Sequence, residues 1–265
     1  MKQVAIITGA SSGMGRELTL YLAKQCRGID EFWLIARRKE RLRAVAGQLS
    51  GQGIHSVLFV GDLCDERLFR SLSARLQAEH TCVLFLVNAA GFGKLGQVEA
   101  LSAESQEDML RLNCGALLRL TRLCLPYLLN GRGRIINFAS AAAFLPQPSF
   151  AVYAATKAFV LSFSEALREE LKPRRITVTA VCPGPVKTEF FALAEEQCSV
   201  PLYKRLFFAK PGPVARKALR DSLLGRPLSV YGSAMRLFRL FARLLPHPLI
   251  FAVMRRLNQK AGQSL

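Results

Sequence analysis

Ser140, Tyr153 and Lys157 stand in the order Ser-x12-Tyr-x3-Lys, a set able to reduce a carbonyl or oxidise an alcohol. Hydride arriving at a carbonyl carbon must be matched by a proton at its oxygen, and a positioned tyrosine hydroxyl is a suitable donor. As a base at neutral pH the same hydroxyl is poor, because its ordinary pKa is about 10. A lysine ammonium one helical turn on, at i+4, would favour the phenolate, helped by the positive charge of an oxidised hydride carrier. Lowering that pKa by about two units takes roughly 2.7 kcal/mol of preferential stabilisation. On this reading Tyr153 is the acid in reduction and the base in oxidation, Ser140 polarises the oxygen, and Lys157 tunes Tyr153. Each residue has a plainer use alone, in a helix-surface pair or a strand end, so the chemistry rests on their joint occurrence.

The reactive groups need a hydride source, and the N-terminal end of the chain offers a place for one. Apolar residues at 3–8 lead into Thr8-Gly9-Ala10-Ser11-Ser12-Gly13-Met14-Gly15, and a helical pattern follows. Strand, glycine turn and helix N-terminus are what a dinucleotide pyrophosphate requires: the glycines permit a tight turn and close approach, and the helix end faces the phosphates. Arg16-Glu17 after the last glycine excludes a P-loop, which needs Lys-Ser or Lys-Thr there. At the end of the second strand, where NAD-selective folds carry an acid for the ribose 2′-hydroxyl, stand Arg37 and Arg38. A guanidinium there suits a 2′-phosphate, and a charge-assisted hydrogen bond of about 1.5–3 kcal/mol favours NADP(H), with NAD(H) a possible second cofactor.

The elements that position these groups alternate in type. Strand candidates lie at 3–8, 32–36, 55–60, 83–87, 134–139 and 175–181, with a weaker one at 228–231. Helical periods fill 14–26, 38–50, 65–79, 104–129 and 151–171, and Ser102 is placed to cap the fourth of them. Such alternation predicts βα units around a parallel sheet. Hydrophobic residues make up 51% of the 265, and no low-complexity tract or linker interrupts the pattern before residue 185. Residues 1–265 therefore read as one dinucleotide-binding catalytic domain, with 189–213 a substrate loop or lid. The seven cysteines are scattered without Cys-x-x-Cys spacing, and His55, His80 and His247 are isolated, so disulfides, metal and a Gly-x-Ser-x-Gly nucleophile are not expected. The first residues lack the apolar length of a signal peptide, which fits a cytoplasmic protein.

In order and spacing, Thr8 to Gly15, Asp62-Leu63, Asn88-Ala89-Ala90-Gly91, Asn113, Ser140, Tyr153 with Lys157, and Pro183-Gly184 resemble the short-chain dehydrogenase/reductase superfamily over about residues 3–188. The resemblance implies an α/β fold: a Rossmann-type doubly wound parallel sheet of seven strands in order 3-2-1-4-5-6-7, sandwiched as α/β/α, with the cofactor across the carboxyl ends of the strands. It implies that Asn113 holds a water beside Lys157 in a proton relay and that Lys157 also binds the nicotinamide ribose. Asp62 and Leu63 would contact the adenine, Asn88, Ala89, Ala90 and Gly91 would line the cofactor, and Val186 and Thr188 would touch the carboxamide. Around the substrate it places Phe92, Phe144, Leu145, Phe150, Phe190, Phe191 and Leu193, an apolar set that suits a lipophilic ketone or alcohol such as a steroid, a bile-acid-like or a long acyl compound. It implies a homo-oligomer, dimer or tetramer. A dinucleotide-sensing protein without turnover and an NAD-linked alcohol dehydrogenase remain as alternatives, opposed respectively by the intact Ser140, Tyr153 and Lys157 and by Arg37.

The net charge is +18, and residues 201–265 carry +12 of it, with Asp221 their sole acid. Within the basic amphipathic segment 233–257, residues 234–245 gather Arg236, Arg239 and Arg243 on one face and Leu237, Phe238, Leu240, Phe241, Leu244 and Leu245 on the opposite arc, before Pro246 and Pro248. Three uses stay open: capping the substrate pocket or a subunit contact, peripheral contact with an anionic membrane, and a solvated face. The segment is too interrupted to span a bilayer, and no motif for specific nucleic-acid reading accompanies the charge.

Overall fold

A computed structural model of the chain describes residues 1–78, 80–190 and 208–252. Its centre is a parallel sheet of seven strands: β1 (Gln3–Thr8), β2 (Glu31–Ala36), β3 (His55–Val60), β4 (Cys82–Asn88), β5 (Arg134–Phe138), β6 (Thr177–Val181) and β7 (Leu228–Ser229). Their order is β3-β2-β1-β4-β5-β6-β7, the doubly wound arrangement of Rossmann type. Strands covered by helices on both faces read as continuous apolar runs, which is why Val4-Ala5-Ile6-Ile7 is wholly buried.

Alternate side chains of the strands feed two cores. Val4, Ile6, Trp33 and Ile35 point to one face, where α3 (Glu66–Ala78), α5 (Leu117–Cys124) and α6 (Ala151–Leu171) supply Leu72, Leu120 and Leu167. Ala5, Ile7, Phe32 and Leu34 point to the other, against α1 (Gly13–Gln25), α2 (Lys39–Ser50) and α7 (Pro211–Leu223). Pairing of β1 with β4 skips Leu84, moving from Val4 opposite Val83 to Ala5 opposite Phe85. The extra residue is a bulge that resets which β4 side chains face which core.

Three departures from the periodicity have local causes. β2 begins one residue early, at Glu31, because its buried carboxylate accepts from Trp33 Nε1 at 2.6 Å and contacts His55 Nδ1 at 2.7 Å, with Lys2 and Arg75 at 3.5 Å. β6 begins late, at Thr177, because Arg175 turns the chain through φ 52°. The helix read at 104–129 is broken: α4 (Ala103–Leu110), capped by Ser102 Oγ on Ser105 N–H, passes into a π-helical turn (Arg111–Ala116) before α5, and a 3-10 turn closes the run at Leu125–Tyr127. The C-terminal amphipathic stretch is α8 (Ser233–Leu244). Of the loop read at 189–213, residues 191–207 lie outside the described residues, and 211–213 already belong to α7.

Candidate functional site

Along the carboxyl ends of the strands runs a cavity of about 1020 Å³. Its polar end is the turn from Thr8 to Gly15 at the N-terminus of α1. Thr8 Oγ1 accepts from the N–H groups of Ala89 and Ala90, both at 3.0 Å, which ties the end of β1 to the end of β4. Gly9 has φ +67°, and a Cβ there would lie 2.9 Å from the carbonyl group of Ala89. At Gly15 a Cβ would come within 2.4 Å of the Gly9 oxygen. Only glycines leave the backbone this close, and the cradle they form at a helix N-terminus fits a dinucleotide pyrophosphate.

Beyond the turn, Arg37, Arg38, Asp62 and Leu63 line the same cavity. The two arginines differ in surroundings. Arg38 donates to Ser12 Oγ and to Glu189, both at 2.7 Å, whereas Arg37 has no ion pair among the described residues.

At the middle of the cavity α6 presents Tyr153 and Lys157, both buried, and the 3-10 turn Ala141–Phe144 begins at Ser140. The Ser140 hydroxyl faces that of Tyr153, and Ser140 Oγ accepts from Ala142 N–H at 3.1 Å. Lys157 Nζ donates to the Phe138 carbonyl at 2.9 Å and lies 5.7 Å from the centre of the Tyr153 ring. Phe150 stacks on that ring at 4.2 Å, and Phe190 tilts against it at 5.3 Å. Burial pushes the phenol up to about 12, the Ser140 hydrogen bond opposing it, and burial pulls the lysine down to about 8. Without a bound cofactor, desolvation dominates and the phenol keeps its proton at neutral pH.

Asn113 sits in the π-helical turn and does not line the cavity. Its side chain accepts from Phe92 N–H at 3.1 Å and donates to the Phe92 carbonyl at 2.8 Å and to Thr156 Oγ1 at 3.0 Å. It nonetheless approaches Lys157 across Gly91, where a Cβ would lie 2.8 Å from Asn113 Oδ1 and 3.3 Å from Lys157 Nζ. The wider π turn swings Asn113 into this position, a common use of such turns.

Two further residues are placed elsewhere than the resemblance implied. Asn88 lies behind the wall, its amide donating to Thr121 Oγ1 at 3.2 Å and Asn137 Oδ1 at 2.9 Å; buried between strands, it fastens β4 to β5. Phe144 packs with Leu117, Val160 and Val230 under the Arg239 guanidinium, turned away from the cavity. Ala89, Ala90, Gly91, Pro183, Gly184, Val186 and Thr188 do line it, as do Phe92, Leu145, Phe150 and Phe190. Phe191 and Leu193 lie outside the described residues.

The sequence reading missed several neighbours. Thr156 Oγ1 donates to the Tyr153 carbonyl at 2.7 Å and joins Tyr153 to Asn113; a polar residue on the buried face of α6 was the available signal. Gly93 permits the approach of Tyr153, since a Cβ there would meet the ring at 2.6 Å. α8 forms the far wall through Leu237, Phe238, Phe241, Ala242 and Leu245. The helix thus closes one side of the cavity, yet Leu237, Leu240, Phe241 and Leu244 remain 47–67% exposed.

The sequence matches the family described as short chain dehydrogenase over residues 3–199. It is 34% identical to serine 3-dehydrogenase of Agrobacterium fabrum over 77% of this chain and 81% of that protein. It is 31% identical to very-long-chain 3-oxoacyl-CoA reductase of Anas platyrhynchos over 83% of this chain and 71% of that one. A short-chain dehydrogenase from Sphingobium yanoikuyae, solved in complex with NADPH, superposes with a TM-score of 0.78 at 31% identity, over 91% of this chain and 92% of that one.

Proposed function

Since the chain belongs to the short-chain dehydrogenase/reductase family, whose members act on alcohols and carbonyls, we propose that it interconverts a ketone and a secondary alcohol on a hydrophobic substrate, with NADP(H) as hydride carrier. The observation that carries this reading is one continuous cavity with the glycine turn and arginines at one end, an apolar wall at the other, and Tyr153 between them.

The residues of the polar end would hold a nicotinamide dinucleotide, which would supply the hydride and, when oxidised, a positive charge. The chain's own residues handle the proton. Ser140 and Tyr153 together direct hydroxyls at one point, where a substrate carbonyl oxygen is polarised. With its pKa held up to about 12, Tyr153 is a neutral donor at physiological pH and passes its proton to the oxygen as negative charge develops there. Ser140 remains to hydrogen-bond the phenolate left behind, and Lys157, with its pKa lowered only to about 8, is mostly the charged ammonium at neutral pH and balances it. In oxidation the same phenol needs added positive charge before it acts as a base.

Arg37 and Arg38 support the NADP(H) preference, each guanidinium able to pair with a 2′-phosphate. Phe92, Leu145, Phe150 and Phe190 with the α8 side chains support a lipophilic substrate, closer in character to an acyl chain than to serine. We read α8 as a peripheral contact with anionic lipid as well, on its exposed leucines flanked by Arg236 and Arg243. No helix among the described residues is long and apolar enough to cross a membrane.

The test is loss of NADPH absorbance against a panel of hydrophobic and small polar ketones. Turnover is expected for the hydrophobic ones, and Tyr153→Phe should lower it by a factor on the order of 100 to 10,000 while leaving NADPH affinity unchanged. Tight NADPH binding with no turnover on any ketone would replace the enzyme with a dinucleotide sensor.

A further inference from the structure

Glu189 lies on the cavity rim beside the arginines. Its two carboxylate oxygens are divided between two guanidinium groups: one accepts from Arg38 at 2.7 Å, the other from Arg41 one turn further along α2. Arg38 uses its second arm on Ser12 Oγ, in the turn that faces the pyrophosphate. Glu189 follows Thr188, whose methyl carbon sits 3.4 Å from where a Gly13 Cβ would be, and precedes Phe190 on the Tyr153 ring. An acid has thus been set into the basic cluster at the position where the NADP(H) reading requires an anion.

We propose that Glu189 is a built-in competitor for the cofactor's 2′-phosphate and so sets the affinity for NADPH without affecting that for NADH. The inference rests on the NADP(H) reading of Arg37 and Arg38. Its logic is electrostatic: a 2′-phosphate brings about two negative charges to guanidinium groups already paired with a carboxylate. Either the phosphate displaces Glu189 or it binds beside a like charge, and both lower its affinity. The hydrogen bonds from Arg38 and Arg41 hold the Glu189 carboxyl below the usual range, so the competing charge persists at neutral pH. NADH carries a hydroxyl in place of that phosphate and leaves the Glu189 contacts intact. The three side chains are all about half exposed, and two exposed ion pairs amount to a factor of about 3 to 10 in binding.

The experiment is fluorescence titration of NADPH and NADH into the wild type and the Glu189→Gln, Arg38→Ala, Arg41→Ala and Glu189→Gln/Arg41→Ala variants. The removed carboxylate is at the surface, so folding is not at issue, and circular dichroism checks it. Glu189→Gln should bind NADPH about 3 to 10 times more tightly with NADH unchanged, and the gain should shrink in the Arg41→Ala background. Weakened NADPH binding by Arg38→Ala together with unchanged or weaker NADPH binding by Glu189→Gln would overturn the competitor while sparing the cofactor reading. NADPH affinity indifferent to Arg38→Ala would remove Arg38 from the phosphate site, and the competitor with it, leaving the cofactor reading to Arg37.

Discussion

Replacing Lys157 by Met should stabilise the fold and abolish the activity. Lys157 is buried, and desolvation takes its pKa from 10.5 to about 8. The ammonium carried at neutral pH then costs the folded state roughly 3 kcal/mol relative to the unfolded chain. Methionine has similar volume and no charge, but gives up the hydrogen bond to the Phe138 carbonyl and leaves that oxygen short of a donor, a loss of about 1–2 kcal/mol. The net expectation is a gain of about 1–2 kcal/mol near pH 7. Because the folded pKa lies below the unfolded one, the unfolded chain binds the extra proton between about 8 and 10.5, and wild-type stability gains from Lys157 as pH rises through that window. The advantage of the Met variant should therefore shrink between those values and vanish or reverse above them. Cys124, held near 12 by burial, lowers stability at alkaline pH in both proteins equally, so the difference removes it. Urea unfolding of both proteins from about pH 7 to pH 10 measures this difference directly. A Met variant less stable than wild type near pH 7, or a difference that does not change with pH, would refute the reasoning that burial destabilises the ammonium.

Gly9→Ala should damage both fold and cofactor site. Its Cβ would meet the Ala89 carbonyl at 2.9 Å from a backbone at φ +67°, a strain of about 1–3 kcal/mol, so the thermal midpoint should fall and NADPH affinity drop at least about tenfold; an unaltered titration would show that the turn does not approach the pyrophosphate. Leu240→Glu with Leu244→Glu, at positions 51% and 67% exposed, should leave stability within about 0.5 kcal/mol and abolish co-sedimentation with anionic vesicles. Equal sedimentation of variant and wild type would exclude α8 as the lipid contact.

How far the fold was legible follows from which forces write a period into the sequence. The strand positions could be read because both faces of β1, β2 and β4 are covered, which leaves unbroken apolar runs, whereas their order came only with the family resemblance. Glu31 was missed as the start of β2 because an acid reads as a strand boundary unless its partners are known, and Trp33, His55, Lys2 and Arg75 come from four places in the chain. The π-helical turn at Arg111–Ala116 was illegible because one extra residue per turn leaves the apolar spacing almost unchanged, although it decides where Asn113 points. Phe144 illustrates the reverse limit: a phenylalanine near the site by sequence is turned into the core by the 3-10 turn that Ser140 starts. Glu189 and Arg38 are 151 residues apart, and no local pattern announces a pair at that separation.

Residue types alone also leave out how burial acts on the phenol before a cofactor is bound. Spacing sets Lys157 one turn from Tyr153 and suggests a lowered pKa, but spacing says nothing of water. In the fold Phe150 and Phe190 cover the ring, Gly93 lets it sink against the backbone, and the lysine turns to the Phe138 carbonyl. The exclusion of water that raises Tyr153 also depresses Lys157, so that the one group holds its proton firmly and the other stands close to giving its proton up at neutral pH. Such a pair is poised for reduction: the proton leaves Tyr153 only when charge builds on a bound oxygen, and the phenolate then formed holds Lys157 in the charged form it already favours at neutral pH. Oxidation asks the phenol to ionise first, against burial, and needs positive charge beyond the single ammonium of Lys157.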